Sequence, residues 1–136
     1  MPLAAATTKR IAIDVNGETV VFICRTPSTP ELSQFLNSRF ATKRNKVESR
    51  VYEARAAFMD KISVDIENAT YAAADGQEKP LSVKTDLSAD DKTYWSGILG
   101  TRVETWKDLV PLTWKSSAAM KFEDSSAAPE DEPGKN

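Results

Sequence analysis

Histidine is absent from this 136-residue chain, and cysteine occurs once, at Cys24. The first absence removes the commonest general base at neutral pH, the Ser-His-Asp and Cys-His nucleophile arrangements, and most zinc sites. The second removes intrachain disulfides and thiolate metal clusters. Carboxylates alone can hold a metal, but none here are spaced for it. Asp90-Asp91 has the look of helix-start electrostatics, and Asp60 and Asp65 do not share a helical face. Gly-rich phosphate loops are also missing. The expectation is a protein that is not an enzyme, with no cofactor and no metal.

Long apolar runs are missing too. No stretch approaches the ~20 apolar residues needed to span a bilayer. Met1-Pro2-Leu3-Ala4-Ala5-Ala6 has no charged start and is too short for a signal-peptide core, with Lys9-Arg10 after it. The expected compartment is the cytoplasm, with no membrane partner. Large apolar side chains are few. Val, Ile, Leu and Phe together number 28, and 17 of the residues counted as hydrophobic are alanines. A core so lean leaves room for buried surface supplied by a partner or by homo-oligomerisation.

No charge of one sign dominates. Lys and Arg number 18 against 20 Asp and Glu, a formal net charge of -2. A globally basic nucleic-acid binder is excluded, while a local basic patch is not. Residues 123–136 carry five acids and one lysine, a net of -4, so the rest of the chain stands at +2.

What is present starts with a β-hairpin over residues 9–24. Lys9–Val15 and Glu18–Cys24 are β-rich runs around Asn16-Gly17, the favoured two-residue turn. That turn sets Ile13 opposite Val20 and Ile11 opposite Phe22, with Val15 and Cys24 on the same apolar face. A lone hairpin is marginal in water, so this face needs helices or another chain. Arg25-Thr26-Pro27-Ser28-Thr29-Pro30-Glu31 then leads into a helix, with either Thr29 as N-cap or Ser28 and Glu31 as a capping box.

Helical spacing runs on through Leu32, Phe35, Leu36 and Phe40, then through Val47, Val51, Ala54, Phe58, Ile62 and Ile66. Helices are expected over about 30–68, two rather than one, since no heptad pattern sustains a single long helix. Residues 69–87, with Asp75-Gly76 and Pro80, read as a loop. Ser88-Ala89-Asp90-Asp91 opens helices expected over about 89–122. Gly97 and Gly100 weaken the first of these and Pro111 breaks it. The fold class is α+β, mostly α. An N-terminal β-hairpin precedes three to four helices and a disordered acidic C-terminal tail. As domains this is a flexible start at 1–8, one small domain at 9–122 and the tail at 123–136.

Two features are candidate binding sites. Arg39, Lys43, Lys46 and Arg50 fall on one face of a helix, with Arg44 and Arg55 nearby. Such a stripe is ordinarily a solvated surface, and it is also suited to tracking phosphates or receiving an acidic partner. Only Phe40 interleaves an aromatic, so single-stranded nucleic acid is not the expected ligand. Trp95, Trp106 and Trp114 gather in the last third, either as core or as anchors at an interface. Trp106, Leu112 and Trp114 are the residues chosen for an apolar contact.

The order of a short strand, a Gly turn, a second strand, Arg25-Thr26-Pro27-Ser28-Thr29-Pro30-Glu31 and helices resembles the tail assembly chaperones of long-tailed bacteriophages, over residues 9–68. The resemblance implies a non-catalytic binding function. A short form would coat the tape-measure protein, and a frameshifted long form would recruit tail-tube subunits. Pro133-Gly134-Lys135-Asn136 can be encoded by CCG-GGA-AAA-AAC, a run of the kind such a frameshift uses. Two rivals stay open: a small nucleic-acid-associated protein using the basic stripe, and a structural tail-completion or head-tail joining protein.

Overall fold

The computed structural model describes residues 8–43 and 46–127. The leading segment expected to be flexible, except for Thr8, lies outside the described residues, as does the end of the acidic tail from residue 128 onward.

The hairpin forms as the sequence indicates. β1 (Thr8–Val15) and β2 (Glu18–Arg25) pair antiparallel in one constant register, with Ile11 opposite Phe22 and Ile13 opposite Val20. Asn16 and Gly17 take φ of 52° and 84°, the two positive values that a type I′ turn demands. Gly17 meets no neighbour that a Cβ would strike, so its role is the backbone angle alone. Ile11, Ile13, Val20, Phe22 and Cys24 are all buried on one face.

Beyond the hairpin, Ser28 and not Thr29 caps α1 (Thr29–Ser38). The Ser28 hydroxyl accepts from the Glu31 N–H at 3.2 Å, and the Glu31 carboxylate accepts from the Ser28 N–H at 2.9 Å. This is the capping box, which satisfies two otherwise orphaned donors. Arg25 forks onto the same carboxylate at 2.7 and 2.5 Å. Phe35 is the buried residue of α1, stacked on Phe58 with centroids 4.5 Å apart. Phe58 in turn meets Phe122 edge-on at 5.5 Å.

Residues 30–68 are not continuous helix. After α1 the chain makes a small antiparallel hairpin of β3 (Phe40–Lys43) and β4 (Lys46–Ser49), closed at its base by the Arg50 N–H donating to the Arg39 carbonyl at 2.6 Å. A helix here would stack Arg39, Lys43, Lys46 and Arg50 as like charges three and four residues apart, which destabilises it. β-branched Thr42 and Val47 are at home in a strand. Helix resumes in α2 (Val51–Ile62), which buries Ala54, Phe58 and Ile62 as the spacing predicts, together with Ala56 and Met59.

The chain then turns extended in β5 (Ser63–Glu67), which pairs β2 and sets Ile66 opposite Phe22. Ile62 and Ile66 are four apart, a separation that suits both a helix and a strand, so periodicity alone did not separate the two. Three groups end α2 by taking up its last carbonyls. The Ser63 hydroxyl donates to Met59 at 2.6 Å, Lys107 to Asp60 at 2.6 Å, and Arg25 to Lys61 at 3.0 Å. The two cations also sit at the negative end of the helix dipole.

The expected loop at 69–87 contains a second small hairpin, β6 (Ala69–Ala72) with β7 (Glu78–Leu81). Pro80 is tolerated because this sheet has two strands and each is an edge. α3 (Ala89–Leu99) is capped by Ser88, whose hydroxyl accepts from the Asp91 N–H. Asp91 is buried and also accepts from the Ala74 N–H at 2.8 Å. That bond, foremost, holds its carboxyl below the usual range.

The long helix expected to carry Trp95 through Val110 ends at Gly100, whose φ of 72° makes a left-handed C-cap. Val103 lies buried in the irregular stretch that follows. α4 (Trp106–Leu109) is a single turn with its own capping box from Thr105 and Asp108. α5 (Leu112–Ala127) follows Pro111 and runs five residues past the expected end at Phe122, into the stretch expected to be tail. Five helices are thus described, against the three to four expected, within a mostly helical α+β architecture. α2 and α5 pack together, and α5 lies against β1, so the main core sits between the three-stranded sheet β1-β2-β5 and these two helices. No helix among the described residues is long and apolar enough to cross a membrane.

Candidate functional site

Large apolar side chains are exposed around α1 and the start of β3, as they are on α3 at Tyr94, Ile98 and Leu99. Leu32, Leu36 and Phe40 are 40%, 44% and 52% exposed. These residues lie on the narrow stripe seen in the sequence. α1 buries only Phe35 fully, so the rest of the stripe faces outward. Beside it runs a cleft of about 520 Å³ between α1, β3 and α2. Phe35, Phe40, Ala54, Ala57 and Phe58 supply its apolar surface, and Glu31, Gln34, Ser38, Arg50, Glu53 and Lys61 the polar groups.

The cleft is braced at both ends. Lys61 Nζ donates to Gln34 Oε1 at 2.5 Å, tying α2 to α1. At the other end Arg39 lies over the Phe35 and Phe40 rings at 6.0 and 5.8 Å. Glu123 on α5 anchors that end, 2.7 Å from Arg55 and 3.9 Å from Arg39. Glu31 at the rim is held to a pKa of about 2, first by the Arg25 guanidinium and then by the Ser28 N–H. It therefore presents a fixed negative charge through the physiological range.

The four basic residues do not share a helical face. Arg39 is the C-cap of α1 and Arg50 the N-cap of α2, so they meet at the base of the β3–β4 hairpin. Lys43 and Lys46 stand opposite each other at its far end. One cationic stripe has become two pairs at the ends of a ribbon.

Trp106, Leu112 and Trp114 do not form one exposed surface. Trp106 is buried at 7% exposure, Trp114 is half-buried against the core, and Leu112 alone is open at 48%. Trp106 is thus a core residue, and Lys107 lies 5.8 Å from its ring. Burial lowers the Lys107 pKa, the Asp60 charge working against this. Trp95 packs at the core's margin, its indole N–H donating to the Ala72 carbonyl at 2.7 Å. Cys24 is fully buried against the Met59 sulfur at 3.5 Å, and burial pushes its thiol up to about 11. A thiol held protonated in the core packs as a small apolar group and is no nucleophile.

The sequence reading placed Phe35 and Phe40 on a narrow apolar stripe and Phe58 on the following apolar line, and missed that the three line a cleft. The only sequence signal was the surplus of large apolar positions on a ten-residue helix. Comparisons with protein-family models, with curated proteins and with solved structures return no match for this chain.

Proposed function

We propose that the protein is a non-catalytic assembly chaperone that seats a partner helix in the cleft between α1 and α2. The resemblance over residues 9–68 makes the partners phage tail proteins, the tape measure and the tail-tube subunits, met in the host cytoplasm. One observation carries the reading: a cleft floored by Phe35, Phe58 and the half-exposed Phe40, with Glu31, Glu53, Arg50 and Lys61 around it. An amphipathic helix needs an apolar groove for its i, i+3, i+4 side chains and charges at the rim to set its register. Buried Cys24 and the absence of histidine fit a role in binding.

The test is affinity purification of the tagged protein, with nuclease present, from the cells in which it is made, followed by mass spectrometry. Recovery of a long helical protein, together with peptides reading past Lys135 in another frame, is the expected result. Recovery that Phe40→Glu leaves unchanged sinks the cleft as the binding site. Presence of the protein in purified particles favours a structural virion component.

A second reading rests on the β3–β4 ribbon. Its register sets Lys43 opposite Lys46, and Arg39 and Arg50 meet at its base. Two-stranded ribbons fit the DNA major groove. Steeply salt-dependent DNA binding, lost when Lys43 and Lys46 are both changed to Glu, is the outcome that selects it. No binding at low salt removes it.

A further inference from the structure

We propose that the free edge of β1 pairs antiparallel with β1 of a second copy of this chain, about a two-fold axis at Ala12, making one continuous six-stranded sheet. The sheet order β1-β2-β5 leaves β1 with a strand on one side only, among the described residues. β1 is eight residues long, contains no proline, and keeps one register along β2 with no bulge. Short edges, prolines, bulges and inward charges are the usual guards against edge pairing, and of these β1 has one inward charge at its start, Lys9 over the Phe122 ring.

The direction of its backbone groups follows from the turn. In a two-residue hairpin the residues flanking the turn bond each other, and bonding then alternates along the ladder. Val15, Ile13 and Ile11 therefore direct N–H and C=O toward β2, and Asp14, Ala12 and Arg10 direct theirs outward. All three outward residues also have exposed side chains. Along the edge they read positive, small, negative.

That order is complementary to itself in one arrangement. Centred on Ala12, antiparallel pairing sets Arg10 opposite Asp14 of the second copy, Ala12 opposite Ala12, and Asp14 opposite Arg10. Opposite charges directly across a ladder stabilise it, and like charges destabilise it. A slip of one pair either way moves Arg10 or Asp14 opposite Ala12 and loses both matches. Parallel pairing in register sets Arg10 against Arg10. On the inner face the favoured register places Ile11 beside Ile13 of the second copy, which continues the apolar layer. Arg10 already bonds Glu67 of its own chain at 2.5 Å. Glu67 lies on β5, beyond β2, so Arg10 exchanges that exposed carboxylate for the second copy's Asp14 by turning toward the edge.

The pairing makes no use of the α1–α2 cleft, so it stands or falls apart from the chaperone reading. Sedimentation equilibrium of the full chain over a wide concentration series tests it. The expected result is a monomer–dimer equilibrium in which Asp14→Arg raises the dissociation constant about tenfold or more, with circular dichroism unchanged. A second variant reads the register. Ala12→Cys should form a reducible covalent dimer on mild oxidation, while the wild type, whose Cys24 is buried, should not. A single-chain mass throughout the series overturns the proposal. So does a dimer that Asp14→Arg leaves intact and that Ala12→Cys does not cross-link.

Discussion

Two antiparallel hairpins in this chain meet opposite fates. β1–β2 has eight-residue strands and one buried apolar face, to which β5 adds a third strand and α5 a covering layer. β3–β4 has four-residue strands, carries cations at both ends, and forms a sheet of its own that begins at the exposed Phe40. The first hairpin is built into the core and the second is not. The aromatic chain Phe35, Phe58 and Phe122 joins the two regions, running from the cleft into the core. An exposed apolar surface can thus be stiffened from behind without its own residues being covered.

The strongest way to break this division is at the joint. Phe58→Ala removes a ring that touches both regions, and should cost about 3–5 kcal/mol in urea unfolding. A loss below about 1 kcal/mol would mean the cleft region packs independently of the core. Next is the cap that orients α1. Ser28→Ala should cost about 1 kcal/mol, and should widen the amide exchange of α1 without altering that of β1–β2. The partner of that cap gives a pH test. Glu31 has a pKa of about 2 in the fold against 4.5 normally, so its contribution is full above pH 4.5 and disappears as pH falls through about 2. The stability gap between wild type and Glu31→Gln should therefore be constant near neutrality and close in strong acid. A gap that instead closes near pH 7 would contradict the Arg25 pairing. The smallest effect on stability belongs to Phe40→Glu, within about 0.5 kcal/mol as for an ordinary surface change. The same substitution should abolish capture of the partner helix. Unchanged capture would return the cleft to the status of bare surface.

Much of the architecture was legible because its signals are local. Asn16-Gly17, Ser28 with Glu31, and Ser88 with Asp91 each state a backbone angle or a hydrogen bond within a few residues, whereas Gly100 was read as a weak point inside a helix and is its C-cap. The illegible parts share a different cause. Residues 40–49 carry a helical apolar period, yet a helix there would have aligned four cations, and the chain avoids this by folding back. Ile62 and Ile66 satisfy two periods at once, so only the presence of Phe22 on β2 made residue 66 part of a strand. In the same way the tryptophans were read as a group, and their distribution among core, margin and surface depended on where α3, α4 and α5 were brought.

For the candidate site the split is the same. The amino-acid sequence by itself determined the residue inventory: no histidine, one cysteine and few large apolar groups. It also determined the Asn16-Gly17 turn and the starts of α1 and α3, because those free energies are settled between neighbours in the chain. The tertiary structure alone decided that Phe35 and Phe58 floor a cleft while Trp106 vanishes into the core. Burial depends on which distant segments compete for the same apolar surface, and that competition is resolved only when the whole chain has packed.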